Sequence, residues 1–211
     1  MILLFPGAFK PFHDGHFLLL RRYVEELSPE KVYIVISNKE RSGITAEQSK
    51  ELIEEIFAGV WKDIEVNVEI SDKPSPINYC YGIIGNDEDS NEYVMINSSK
   101  DNDKRIEQFY ELFKKGGKYY HSKSYASNPE VETEPLYYWN RKDDFADSPI
   151  SSAIVRNDII EDDWKNFKKA YENIIDDSFL DIDNLETFFD ELKETVTQSE
   201  DDLEKLERYI S

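Results

Sequence analysis

The chain has 211 residues, of which 39% are hydrophobic and 13% aromatic, which is enough for one sizeable core and an additional segment. Its formal net charge of −20 opposes binding to DNA or RNA, because an acidic surface repels the phosphate backbone. The single cysteine, Cys80, cannot form an internal disulfide or a cysteine metal cluster, which indicates a reducing compartment. The apolar N-terminal run is too short for a signal peptide and no stretch reaches membrane-span length, so we expect a cytoplasmic protein without a membrane partner.

Strands and helices are predicted to alternate through the first three-quarters of the chain. Apolar patterns predict strands near residues 1–5, 31–37, 64–70 and 92–97, and helices near residues 14–28, 45–58, 76–84 and 103–115. This alternation predicts right-handed crossovers and a parallel sheet with helices on both faces, which is a Rossmann-like α/β fold. Ligands of such folds bind at the carboxyl ends of the strands.

Residues 7–16 (GAFKPFHDGH) combine a glycine-containing loop with two histidines where the first helix is predicted to begin. The first turn of a helix has unpaired N–H groups and a partial positive charge, and therefore favours an anion. Gly7 and Gly15 lack a Cβ, so that the backbone can approach a phosphate closely. Because residues three apart share one helix face, we expect His13 and His16 to face the same phosphoryl group and to stabilise its developing charge.

Residues 150–156 (ISSAIVR) predict a second helix start that can receive a phosphate. Ser151 or Ser152 makes a good N-cap for the helix that follows. Arg156 is always charged, and its guanidinium can bind two phosphate oxygens at once. Taken alone, the pattern also fits an ordinary capped helix with a surface arginine.

The two motifs together resemble those of the HxGH nucleotidylyltransferases, a group within the cytidylyltransferase-like superfamily. Residues 7–16 match the GxFxPxHxGH pattern of this group, and residues 150–156 are similar to its ISSTxxR pattern in the expected order. The resemblance implies an enzyme that transfers a nucleoside monophosphate from a nucleoside triphosphate to a phosphate-bearing small-molecule acceptor, with release of pyrophosphate. It also implies Mg²⁺, which we expect the nucleotide phosphates to hold, with no protein ligand assigned.

The resemblance also assigns site residues. The candidate catalytic residues are His13, His16, Lys10 and Arg41, the last with Lys39 behind it in the loop after the second strand. The candidate nucleotide- and phosphate-binding residues are Gly7, Ala8, Phe9, Gly15, Ser151, Ser152 and Arg156. For Arg41 a solvated loop charge remains an alternative, and Lys10 either adds positive charge beside the phosphates or is an idle loop residue.

The nucleotide is predicted from the second motif. Residues 146–152 (ADSPISS) lack the RTEGIST-type segment of the glycerol- and choline-phosphate cytidylyltransferases, which favours adenylyl transfer from ATP over cytidylyl transfer. Ala153 stands where the motif has threonine, and Lys10 where many members have Asp or Asn. Residues 43–48 (GITAEQ), with the first motif, loosely resemble putative bacteriophage nucleotidyltransferases, which would place the enzyme in host cytoplasm or a virion.

The sequence predicts a domain boundary after residue 157, between a nucleotidylyltransferase domain (1–157) and an acidic helical extension (158–211). The extension holds 18 acidic and 6 basic side chains, and its apolar residues recur at helical spacing. The apolar faces either pack on the sheet domain or form an interface in a homo-oligomer. Because of Ala153 and this extension, a catalytically weak nucleotide-binding or assembly protein with the same fold stays open as a second hypothesis.

Overall fold

A four-stranded parallel sheet forms the centre of the protein in the computed structural model, which describes residues 1–87, 91–96, 111–112, 116–117, 151–178, 180–200, 202–203 and 206. In the spatial order β3-β2-β1-β4, the strands are β1 (Ile2–Gly7), β2 (Lys31–Ile36), β3 (Glu65–Ile70) and β4 (Tyr93–Met95). Each neighbouring pair is parallel. The predicted Rossmann-like α/β fold is confirmed, and each of the four predicted strands overlaps an observed one.

Three helices follow the first three strands, as predicted. They are α1 (Asp14–Leu27), α2 (Ala46–Phe57) and α3 (Pro76–Asn86). A local signal starts α2: Gln48 N donates to Thr45 Oγ1 over 3.1 Å, while Thr45 N donates to Gln48 Oε1 over 2.9 Å. The helix predicted near residues 103–115 lies almost entirely outside the described residues.

The hydrophobic core is centred on β1 and β2. Their fully buried side chains include Leu3, Leu4, Val32, Ile34, Val35 and Ile36. The near-continuous apolar run of β2 (KVYIVI) is typical of a parallel strand that is buried on both sides. At the carboxyl ends of the two strands, Ser37 N donates to Gly7 O over 2.9 Å, so that the loops after β1 and β2 begin side by side.

The C-terminal part of the chain is helical. Its helices are α4 (Ser152–Ile160), α5 (Trp164–Lys169), α6 (Glu172–Asp177) and α7 (Ile182–Thr195). Helix α4 contacts α5 and α7, and α6 contacts α1. The buried apolar residues of this part include Phe167, Tyr171, Ile174, Leu185, Phe189 and Leu192. The boundary predicted after residue 157 falls inside α4, because the apolar spacing continues through Ile159, and the second motif and the extension therefore share one helix.

None of the helices in the described residues is both long enough and apolar enough to cross a membrane.

Candidate active site

His13 and His16 lie side by side at the start of α1. Their ring centroids are 3.9 Å apart, with an angle of 34° between the ring planes. His13 is the N-cap of the helix, and its Nδ1 accepts a hydrogen bond from Gly15 N over 3.1 Å. An accepting Nδ1 requires the proton of the neutral ring to be on Nε2. The structure thus brings the two predicted catalytic histidines together and fixes the tautomer of one of them.

Hydrogen bonds within the protein already use the first amides of α1. Asp14 N donates to Ala170 O over 2.8 Å, Gly15 N to the His13 ring, and His16 N to His13 O over 2.9 Å. In this structure these amides, that of Gly15 among them, donate to acceptors of the protein itself, and the predicted binding of phosphate by Gly15 stays a prediction.

Two phenyl rings support His16. The His16 ring packs edge-on against Phe9 with a centroid distance of 5.1 Å and lies 5.3 Å from Phe12. Phe9 is only 2% exposed and packs in the core, and its predicted contact with the nucleotide stays a prediction. A Cβ on Gly7 would lie 2.4 Å from Cζ of Phe9, which shows that the glycine makes room for this ring, and its predicted approach to a phosphate stays a prediction. Ala8 is exposed.

Lys10 lies beneath the loop instead of on its surface. It is 1% exposed, and its Nζ donates to Ser37 O over 3.0 Å at the carboxyl end of β2. Burial lowers the pKa of Lys10 to about 8, against a smaller opposing effect of the Glu47 carboxylate. The alternative of an idle loop lysine is therefore excluded, because the ammonium group links the loops after β1 and β2.

The second motif docks on the backbone of the first. Ser151 caps α4 by accepting from Ile154 N over 3.4 Å. Ser152 Oγ donates to Pro11 O over 3.2 Å, and Nη1 of Arg156 donates to Lys10 O. The two predicted phosphate motifs are thus adjacent in the fold.

The guanidinium of Arg156 is engaged by a carboxylate that the sequence did not single out. Nε donates to Oδ2 of Asp202 over 3.0 Å, and Nη2 donates to Oδ1. Both side chains are 2% exposed. Burial opposes ionisation of this carboxyl, but hydrogen bonds from Arg156 and Ser42 outweigh it and hold the pKa of Asp202 below its usual range. Arg156 is therefore buried and paired, which excludes the alternative of a surface arginine, and its predicted contact with phosphate stays a prediction.

The loop after β2 approaches this ion pair through Ser42. Ser42 Oγ donates to Oδ2 of Asp202 over 2.7 Å. Arg41, one residue earlier, is half-buried, and its backbone pairs in both directions with Ile44, while Lys39 is exposed. In this loop Ser42 is linked to Arg156 of the second motif through the Asp202 carboxylate.

Asp14 connects the histidine loop to the C-terminal helices. Its buried carboxylate accepts from Asn173 N and Ile174 N, each over 3.0 Å, and from Asn173 Nδ2 over 2.8 Å. Burial raises the pKa of Asp14, although these hydrogen bonds oppose the rise. No local pattern distinguishes Asp14 or Asp202 from the other acidic residues, since their partners are far away in the sequence.

No group of three or more His, Cys, Asp or Glu side chains is placed to hold a metal ion in the part of the chain that the structure describes. The carboxylates of Asp14, inside the first motif, and of Asp202 already accept hydrogen bonds from protein donors.

Comparison of the sequence with protein-family models and with curated proteins finds no match.

Proposed function

We propose that the protein is a nucleotidylyltransferase that transfers a nucleoside monophosphate from a nucleoside triphosphate to a phosphate-bearing small molecule and releases pyrophosphate. The proposal depends on the imidazoles of His13 and His16, whose ring centroids are 3.9 Å apart. They lie at a helix start that follows β1 of a parallel sheet. Sites of open α/β folds lie at this edge of the sheet. Two adjacent ring donors suit a group whose negative charge increases in the transition state.

In the proposed reaction, an oxygen of the acceptor phosphate attacks the α-phosphorus of the triphosphate, and the bond from that phosphorus to the β-phosphate oxygen breaks in line with it. No covalent bond to the enzyme forms. His13 and His16 donate from their rings to the oxygens of the transferring phosphoryl group, since catalysis of such transfers depends mostly on positioning and charge stabilisation. Mg²⁺, when bound through the phosphates, supplies further charge neutralisation.

The surrounding residues hold the imidazoles in position. Nδ1 of His13 is fixed by Gly15, and His16 packs against Phe9 and Phe12, so that few ring orientations are open to either histidine. The buried Lys10 ammonium adds a positive charge under the same loop. Preorganised donors of this kind stabilise a transition state without reorganising during the reaction.

ATP is the proposed nucleotide, because residues 146–152 lack the cytidylyltransferase segment. Cytidylyl transfer remains the alternative within the same class. The acceptor is to be identified with a panel of candidate phosphomonoesters. A catalytically weak nucleotide-binding or assembly protein is the second candidate, which the engaged guanidinium of Arg156 favours.

Pyrophosphate release tests the proposal. The full chain with Mg²⁺ is incubated with each of the four common ribonucleoside triphosphates and a panel of phosphomonoester acceptors, and released pyrophosphate is followed enzymatically. We expect turnover with ATP and at least one acceptor, and loss of about 10²-fold or more in kcat on His16→Ala, as for the removal of one transition-state donor. His121→Ala, at the third histidine of the chain and outside both motifs, is the matched control. Turnover that His16→Ala leaves unchanged contradicts the proposed mechanism, and nucleotide binding without turnover supports the second candidate.

A further inference from the structure

The segment that begins with the last residue of α7 crosses both the loop after β2 and the second motif. We call residues 195–200 with 202 and 203 the C-terminal strap. Thr197 N donates to Ser42 O over 3.0 Å, and the position of a Cβ on Gly43 lies 1.8 Å from Thr195 O, so that the strap lies directly on this loop. Asp202 of the strap then reaches the guanidinium of Arg156.

The atoms that surround the Asp202 carboxylate form a site for an anion with two oxygens. Oδ2 accepts from Nε of Arg156 over 3.0 Å and from Ser42 Oγ over 2.7 Å, and Oδ1 accepts from Nη2 of Arg156. A guanidinium binds carboxylates and phosphates in the same bidentate geometry. The donors that now hold a carboxylate are therefore suited to a phosphate group as well.

We propose that Asp202 is an internal occupant of a phosphate site formed by Arg156 and Ser42, and that the β- and γ-phosphates of the incoming triphosphate displace it. The inference rests on the proposed function. It adds Ser42 to the phosphate ligands and makes the C-terminal strap a competitor of the nucleotide.

Most described side chains of the strap face solvent. Val196 is partly buried against the core, whereas Thr197, Gln198 and Glu200 are exposed, and Leu203 is 46% exposed. A segment with little buried apolar surface opens at low free energy. The buried ion pair adds little net stability, since desolvation offsets its attraction, but Arg156 left alone would be a costly buried charge. Opening of the strap is therefore favourable when a phosphate replaces the Asp202 carboxylate at Arg156, and unfavourable when the guanidinium is left without an anion. Release of the strap is thereby coupled to binding of the nucleotide.

Substitution of the carboxylate by its neutral isostere tests the competition. Binding of MgATP to the full chain is measured by titration calorimetry for the wild type and for Asp202→Asn. We expect Kd to fall about tenfold, equivalent to about 1.4 kcal/mol, because the anionic competitor is lost. Glu200→Gln is the control, since it removes the same charge from an exposed position of the same strap, and we expect its Kd to stay within about twofold of the wild type because exposed charges are screened. A Kd for Asp202→Asn that is unchanged or higher overturns the inference.

Hydrogen exchange of the wild type gives a second measurement that needs no stable variant. Saturation with MgATP is expected to accelerate exchange in peptides that cover Thr197 and Asp202, whose amides bond Ser42 O and Ser199 in the closed strap. Unchanged or slower exchange there overturns the inference. If the protein releases pyrophosphate but Asp202→Asn does not lower the Kd for MgATP, the competition is refuted and the proposed function stands. Absence of both MgATP binding and turnover in every variant refutes the proposed function and the inference with it.

Discussion

The carboxylate of Asp14 accepts two hydrogen bonds from Asn173, one from its backbone N–H over 3.0 Å and one from its side-chain amide over 2.8 Å. Asp14 lies between the two histidines of the first motif, whereas Asn173 belongs to α6. The C-terminal helices are thereby fastened to the histidine loop itself. Loosening α6 would therefore also loosen the first turn of α1, so the extension helps to hold the histidine loop in place.

Asp14→Asn tests this link. The variant replaces one accepting carboxylate oxygen with an NH2 group, which then faces N–H donors of Asn173 or Ile174. We expect the free energy of unfolding to fall by about 1–3 kcal/mol. We also expect kcat for pyrophosphate release to fall with little change in KM for the triphosphate, since the residues proposed to bind the phosphates keep their contacts. Urea denaturation and steady-state kinetics measure the two effects.

Asp176→Asn is the control for this prediction, because it makes the same exchange at an exposed position of α6. It should leave both stability and kcat near the wild-type values. If Asp14→Asn lowers stability but leaves kcat untouched, Asp14 is a purely structural residue.

The buried ammonium of Lys10 predicts a pH-dependent stability. Its pKa is about 8 in the folded protein, compared with 10.5 for the ordinary lysine side chain, so the unfolded chain binds more protons between these two values. Stability contributed at this position therefore rises with pH from about 8 to about 10.5, and below about pH 8 the cost of the buried charge is fully present. Lys10→Met removes the titrating group and keeps most of the apolar stem.

The measurement for Lys10 is the difference in unfolding free energy between wild type and Lys10→Met at pH 7, 8, 9 and 10. We expect the wild type to gain up to about 3 kcal/mol relative to the variant over this range. Burial also raises the pKa of Cys80. Because both proteins contain this thiol, its effect cancels and the difference between them reports on Lys10. A difference that does not vary with pH would contradict the burial of the charged group.

Local sequence signals were sufficient to predict the four strands and the first three helices. The apolar run of β2 and the capping box of Thr45 and Gln48 act within a few residues, and each of these seven elements begins close to where its pattern predicts. The motif spacing likewise predicted the adjacent histidines, because positions three apart share a helix face. Such features need no knowledge of distant packing.

The environment of the site residues could not be predicted in the same way. The bonds from Arg156 to Asp202 and from Asp14 to Asn173 join segments that only the folded sheet and helices bring together. Asp202 is one of 18 acidic residues in the extension, and nothing in its neighbourhood distinguishes it. The burial of Lys10 depends on the loop after β2, which the first motif does not contain.

Gly43 is predicted to be intolerant of a side chain. Its φ is +83°, and a Cβ would lie 1.8 Å from Thr195 O and 3.1 Å from Cα of Val196, which are backbone atoms of the strap. Gly43→Ala should therefore destabilise the protein by more than about 1 kcal/mol, since alanine is strained at this φ and the strap must also move. Gly82→Ala is the comparison, because Gly82 lies inside α3 and has open space around the position of the new methyl group. This substitution should be neutral or stabilising by up to about 1 kcal/mol. Equal effects of the two substitutions in chemical denaturation would contradict the contact between loop and strap.

Gly7→Ala is expected to act on the histidines through Phe9. The new methyl group would lie 2.4 Å from Cζ and 2.5 Å from Cε1 of the phenyl ring, which must then shift against His16. Overpacking of this kind costs about 1–3 kcal/mol of stability, and the displaced imidazole should lower kcat. Phe9→Leu ends at Cδ and removes the clashing atoms, so the double variant should lose less stability than the sum of the two single variants, with a coupling of about 0.5–3 kcal/mol. A double-mutant cycle, followed by urea denaturation and by pyrophosphate release, measures this coupling. Strictly additive losses would show that Gly7 does not make room for the ring that supports His16.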